Sequence, residues 1–325
     1  MKRRVAFTRL AAAIVCVDGA GRARAALAQR PARIGAIHWE SADATYRMVE
    51  LRDGLRPLGY VEGRNIEILW RWAATSRARA RQAAAELEDA GVSLIYAHST
   101  PTVHAVKEAT RRTPVVITAA DVLATGIVGN LTRPGGLITG VTAIGPELAP
   151  KRLQILKDVL PRIRRVGFLA SSVDPNGETF VRETVAAGAS IGVEVIPERV
   201  RGVEEFPDAL ERMRAAGAEA VILQTLFLGV ARRFIDAAMV HKIPCVGDQP
   251  GFVDAGALLA FGADRAALNL RVGVFIDRIL KGAAPGELPI EQPSKFRLVV
   301  NMKAARALGL TVPPAVLELA DEVVE

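Results

Sequence analysis

The stretch LEDAGVSLIYAHSTPTVHAVKEAT, residues 87–110, decides the fold. It reads as a helix end, an Ala-Gly joint, an apolar strand through residues 94–96, and a turn, His98-Ser99-Thr100-Pro101, that opens another helix. Gly suits the end of a helix, and Pro with hydroxyls suits the start of one. A helix–strand–helix unit of this length belongs to an α/β layer around a parallel sheet. The turn after the strand offers free helix N–H groups and the hydroxyls of Ser99 and Thr100. Such a turn serves as a helix cap, and equally as one wall of a site for a small anion.

The unit then recurs. MRAAGAEAVILQTL (213–226) repeats the helix end, the Ala-Gly and the strand, and places Thr225 where the first copy has Ser99. RIGAIHW (33–39) is echoed by RVGFLAS (165–171), and TRRTPVVITAAD (110–121) by VHKIPCVGDQ (240–249). Such joints are common singly in α/β proteins. Three in the same order at similar intervals predict two similar lobes, each a doubly wound parallel sheet. Strand-like crossovers near Thr142, Gly262 and Gln292 are expected to join them. That gives a first lobe of residues 33–141 plus 263–291 and a second of 142–262 plus 292–325. Leu153, Leu156, Val159, Leu160 and Ile163 fall on one face of a helix between the two. Open α/β sheets bind ligands at the carboxyl ends of their strands, so two facing sheets make a ligand cleft.

With 325 residues, 50% hydrophobic and 24% charged, the chain is globular and long enough for both lobes. A net charge of +7 and a pI near 9.8 would suit nucleic acid if the charge were spread over the fold. It is not: residues 1–28 hold six of the 42 Lys and Arg and only one of the 35 Asp and Glu. The remainder is nearly neutral, and no nucleic-acid partner is expected. Residues 1–28 read instead as an export signal peptide, with Lys2, Arg3 and Arg4, an apolar run over 10–17, and the small-x-small pattern Ala26-Leu27-Ala28. A periplasmic, monomeric protein cleaved after Ala28 is expected. No apolar run has membrane-spanning length, so no membrane insertion of the mature chain is expected. Cys16 falls in the leader, which leaves Cys245 without a disulfide partner. Its strand-like setting, IPCVG, reads as a buried thiol.

No catalytic motif stands up. GASIG (188–192) has the letters of a nucleophile elbow, but Ser190 ends a helix instead of following a strand. No Walker A sequence is present. His38, His98, His104 and His241 show no metal-ligand spacing, and no metal or cofactor is expected.

LTRPGGLITGVT (131–142), ELAPKRLQILKDVLP (147–161), LPIEQPSKFRLVVNMKAARALGLTVPP (288–314) and ADEVVE (320–325) carry a resemblance. In combination they resemble the ABC-transporter substrate-binding protein family related to tryptophan-binding TrpX, from about Arg33 onward. The resemblance implies a type I periplasmic binding fold, a small-molecule ligand in the cleft, and ABC permease membrane subunits as partners. It also implies small polar site residues after the lobe strands. The matching positions are Ser99 and Thr100, Asp121, and in SSVDPNG (171–177) Ser172 and Asn176, with Asp174 close by. LQTLFLGV (223–230) and GDQPGF (247–252) depart from the amino-acid-binding branch, so the ligand's identity is not carried over.

Other candidates stand beside a structural alternative. Asp121 and its counterpart Asp248 suit either a helix cap or an acceptor for a ligand ammonium or hydroxyl. Trp39 suits a stacking surface or a rim aromatic. His38 and His98, at strand ends, suit donors to a ligand carboxylate or solvated loop residues. Trp70 and Trp72, alternating along IEILWRW (66–72), are assigned to packing. The leading reading is the periplasmic solute-binding component of an ABC uptake transporter, taking an amino acid or an aromatic or carboxylated compound. An α/β enzyme acting on a small substrate, or a cytoplasmic sensor domain, is the alternative if the leader reading fails.

Overall fold

The computed structural model describes residues 31–143 and 145–325, so the expected signal peptide and its cleavage site at Ala28 lie outside the described residues. The first half runs β1 (Ala32–His38), α1 (Tyr46–Leu55), β2 (Ile66–Trp72), α2 (Arg77–Asp89), β3 (Leu94–His98), α3 (Thr100–Ala109), β4 (Val115–Ala120) and β5 (Ile138–Ala143). Then α4 (Ala149–Val159) leads into β6 (Arg165–Ser171), α5 (Gly177–Ser190), β7 (Glu194–Val200), α6 (Phe206–Ala215) and β8 (Ala220–Leu223). After these come α7 (Ala231–Val240), β9 (Cys245–Gly247), α8 (Pro250–Asp254), β10 (Leu259–Ala263) and α9 (Arg265–Leu280). β11 (Ile290–Glu291), β12 (Phe296–Asn301), α10 (Met302–Leu308), α11 (Pro314–Leu319) and β13 (Glu322–Val324) follow. Inner strands such as β3, with every residue buried, are continuous apolar runs because helices cover both faces of the sheet.

Two sheets form, in the orders β11-β5-β4-β3-β1-β2 and β13-β12-β10-β9-β8-β6-β7. The run β2-β1-β3-β4-β5 has its counterpart in β7-β6-β8-β9-β10, so the duplication in the sequence is a duplication of topology. Gly91 and Gly217, the joints that first reveal it, both take left-handed φ, 68° and 79°, where a side chain would be strained. All strand pairs described are parallel except β10–β12. β12 reaches the second sheet by crossing from β11 of the first, not through a helix, and so runs against its neighbour.

The chain passes between the sheets after β5, after β10 and between β11 and β12. The helices at the first two passages pack onto the sheet they are entering. From α4, Leu153, Leu156 and Val159 join Phe168, Phe180 and Val300 in the second lobe's core. From α9, Leu268, Val272, Phe275 and Ile276 join Leu51, Leu55 and Tyr96 in the first.

α9 meets α1 so closely that backbone touches backbone. A Cβ on Gly273 would stand 2.1 Å from the Gly54 carbonyl oxygen, and one on Gly54 would stand 2.2 Å from that of Asn269. Helix propensity alone would make Gly273→Ala stabilising by about 1 kcal/mol. The overlap outweighs it, because neither backbone has a rotamer to move away. Gly273→Ala is expected to destabilise the protein by about 1–3 kcal/mol, read as a lowered melting temperature. A raised one would show that the two helices separate at little cost.

Candidate functional site

Both sheets reverse their winding direction between adjacent strands, at β1/β3 and at β6/β8. The carboxyl ends there mark a topological switch point, where open α/β sheets place their ligands. A cavity lies between the lobes at this level. From the first lobe it is lined by Glu40, Arg47, His98, Ser99, Thr100 and Arg265; from the second by Asp174, Phe180, Thr225, Leu226, Asp248 and Gln249.

The first lobe contributes a helix start and a charge network. Ser99 occupies the N-cap position of α3 with φ 80°, yet its side chain accepts no backbone N–H. Its hydroxyl lies 3.0 Å from the Thr102 hydroxyl instead. The cap expected at Ser99 is therefore not made by its side chain, and α3 begins at the cavity wall without one. A non-glycine residue at this φ is strained, and such strain gathers at ligand sites. Arg47, from α1 and only 2% exposed, donates to Glu40 Oε1 at 2.6 and 2.9 Å and to Glu50 Oε2 at 2.9 Å. Arg265, from α9, donates to the same Glu50 oxygen at 2.8 Å. Burial raises the Glu50 carboxyl, but Arg265 and Arg47 outweigh it and hold the group at about 2. Burial acts likewise on Glu40, and Arg47 holds that carboxyl below the usual range. Two arginines and two carboxylates leave this wall without net charge.

The second lobe presents acceptors. Gln224 accepts from Ser171 N at 2.7 Å and donates to Asp174 Oδ2 at 2.6 Å, while Asn176 N donates to Asp174 Oδ1 at 3.0 Å. The Thr225 hydroxyl donates to Asp248 Oδ2. Asp248 Oδ1 and Gln249 Oε1 are buried without a hydrogen-bond partner among the described residues.

Burial pushes the Asp174 carboxyl up to about 6, against the lowering effect of its two hydrogen bonds. The folded protein then holds this proton more tightly than the unfolded chain. The associated stability is fully present below about pH 4 and is lost as pH rises through about 6. In the solute-free protein, resistance to urea should fall by about 2–3 kcal/mol across that window. Asp174→Asn should flatten the profile; an equal slope in both proteins would remove Asp174 as its source.

His38 and His98 stand side by side at the ends of β1 and β3, with ring centroids 5.8 Å apart. His38 is stacked on Trp70 and tilted against Trp72, at 5.8 and 5.2 Å. Burial lowers His38 to about 3 and holds His98 well below the usual imidazole range, so both rings are neutral. Residues that show no metal-ligand spacing in sequence are thus neighbours in space. His38, Glu40 and His98 place potential ligating atoms within 4.8 Å of one another.

Of the positions singled out in the sequence, Ser99, Thr100, Asp174, Thr225, Asp248 and His98 line the cavity. Others do not. Trp39 is 3% exposed, packed with Ala73, Ala80 and Ala105 and against Leu226 of the other lobe; it is an interlobe contact and not a stacking surface. Asp121, at φ 39°, accepts from Ala124 N at 3.2 Å and so closes a turn; the helix it was expected to cap is not there, since the chain runs from β4 to β5 without one. Exposed Ser172 donates to the Val200 carbonyl at 3.2 Å. His38 lies behind the wall, 1% exposed. Asn176 is fully buried, and its Nδ2 donates to Thr100 Oγ1 at 3.0 Å and to the Ala120 carbonyl at 2.7 Å. It joins the lobes instead of lining the cavity.

Sequence reasoning passed over Glu40, Arg47, Arg265 and Gln249. Gln249 alone had a local signal, adjacent to Asp248 after β9. Cys245 is buried as expected, and burial raises its thiol far above the ordinary range, which leaves it inert.

A family profile described as ABC transporter substrate binding protein matches residues 34–324. A tyrosine-binding protein of Clostridioides difficile is 25% identical over 259 residues, covering 79% of this chain and 74% of that protein. Among solved structures, an ABC domain in complex with L-Trp from Streptococcus pneumonia superposes with a TM-score of 0.83 at 25% identity, over 90% of this chain and 100% of the other. A conserved domain protein from Vibrio cholerae gives a TM-score of 0.84 at 24% identity, again over 90% and 100%. The two-lobed architecture is the type I periplasmic-binding-protein fold.

Proposed function

Because the chain belongs to the ABC transporter substrate binding protein family, we propose that its interlobe cavity captures an amino acid and presents it to the permease subunits of a transporter. Members of this family bind and release; they do not turn over their ligand. The observation that carries the reading is the buried, unpartnered Asp248 Oδ1 with Gln249 Oε1 beside it in sequence, in a cavity whose opposite wall is the start of α3. An amine satisfies the acceptors of the second lobe, and a carboxylate suits the Ser99–Thr100 turn of the first. Phe180, Leu226 and Leu268 supply apolar wall for a side chain. The tyrosine-binding relative and the L-Trp complex support the same class.

Capture proceeds by hinge closure. The three passages between the sheets act as the hinge, and closure brings the Asp248 side of the second lobe against the Ser99 side of the first. The protein acts outside the cytoplasm, exported by the leader in residues 1–28 and cleaved after Ala28, and meets the permease in its closed form.

A thermal-shift screen across amino acids, aromatic acids and simple carboxylates tests the ligand class. A ligand at a hundred times its Kd adds about 2.7 kcal/mol, a rise of several degrees. Amino acids should give it. A rise from carboxylates lacking an amine, with none from any amino acid, would overturn the assignment to Asp248 and Gln249.

A further inference from the structure

The three potential ligating residues at the end of β1 and β3 have unmatched polar atoms. Both ring nitrogens of His38, Nδ1 of His98 and Oε2 of Glu40 are buried without a hydrogen-bond partner among the described residues. Native proteins leave few such atoms unpaired, so four in one cluster call for a physical partner. The imidazoles are not paired with Glu40 directly, since its Oε1 is taken by Arg47 and Tyr46 and Oε2 meets nothing. Yet one ligating atom from each residue lies within 4.8 Å of those of the other two. The strands fix this arrangement: Ile37 is paired with Ala97, which makes His38 and His98 the next neighbours, and Trp70 and Trp72 hold the His38 ring.

We propose that His38, His98 and Glu40 form a binding site for a divalent first-row transition ion of the zinc class, with a coordination position open to the interlobe cavity. Two imidazoles and one carboxylate are the donors such ions take, and three protein ligands leave a position for a solute or water. The set has too few oxygens for Ca²⁺ or Mg²⁺. Glu40 and His98 line the cavity, which puts the open position there. Among the described residues Arg47 is the one cation hydrogen-bonded to the cluster, and Glu40 and Glu50 together balance it and its neighbour Arg265. This site goes beyond the amino-acid reading and does not depend on it.

The test is titration of the untagged, chelator-treated protein with Zn²⁺ by calorimetry and with Co²⁺ by visible absorption, with no organic solute present. One equivalent should bind, with Co²⁺ bands stronger than those of the aqueous ion. His98→Gln and Glu40→Gln should each weaken binding by at least about tenfold, with folding checked by circular dichroism, while His241→Gln should leave it unchanged. Absence of stoichiometric binding, or binding that survives in both variants, overturns the site. Either result leaves the amino-acid screen unaffected, so the two readings fail separately.

Discussion

Asp248→Asn is expected to lower affinity for the amino-acid ligand by about thirtyfold to a thousandfold while leaving the fold intact. Asn has the shape of Asp, and its amide oxygen still accepts from the Thr225 hydroxyl, which now holds Oδ2. The buried atom with no protein partner is Oδ1, so the substitution places an NH₂ or a neutral oxygen where the ligand's ammonium would meet a charge. Losing a charge-assisted bond costs about 1.5–3 kcal/mol. Leaving the ammonium buried without its counter-charge raises the total to about 2–4 kcal/mol, the affinity loss stated. Calorimetric titration with a ligand found in the screen gives the affinity, and the melting temperature of the ligand-free variant gives the stability. A variant that binds within threefold of the parent would place the ammonium elsewhere, with Asp174 next in line. An affinity loss matched by a large fall in melting temperature would make Asp248 structural.

The two-lobed fold is readable because its signals are local. Gly91 and Gly217 mark helix-to-strand joints by backbone conformation, and each sits within a few residues of the strand it introduces. Ser99, Thr225 and Asp248 are readable for the same reason: each follows a strand, and the fold class alone sends strand ends to the cleft. Arg47 and Arg265 are hidden because a charged residue near the start of an amphipathic helix reads as solvated. Their place in the cavity depends on Glu50, which holds Arg265 from 215 positions away. Trp39 fails in the opposite direction. An aromatic after a strand has the local signature of a ligand contact, and only Leu226, brought from the other lobe, shows that it packs. The His38–Glu40–His98 cluster escapes a search for metal spacing because β3 pairs with β1 after an intervening β2, which sets the two histidines 60 positions apart.

Asn176→Ala is expected to weaken binding of every ligand by the same factor, about five- to a hundredfold, with little change in melting temperature. Asn176 belongs to the second lobe, and both groups its Nδ2 reaches, Thr100 Oγ1 and the Ala120 carbonyl, belong to the first. These bonds exist only while the lobes are together; with the lobes apart, water takes their place. Their loss therefore falls on closure and not on the folding of either lobe. Two neutral bonds contribute about 1–3 kcal/mol in all, and a smaller closed population lowers apparent affinity in proportion, whatever the ligand. A direct ligand contact would behave otherwise, because its loss would penalise ligands according to the group it touched. Affinities for two chemically different ligands, measured on the parent and the variant, separate the cases. A double-mutant cycle with Thr100→Val adds a check: partners in one bond give coupling of about 0.5–3 kcal/mol, and independent residues give almost none. Unequal losses for the two ligands, or additive effects in the cycle, would mean that Asn176 does not hold the lobes together.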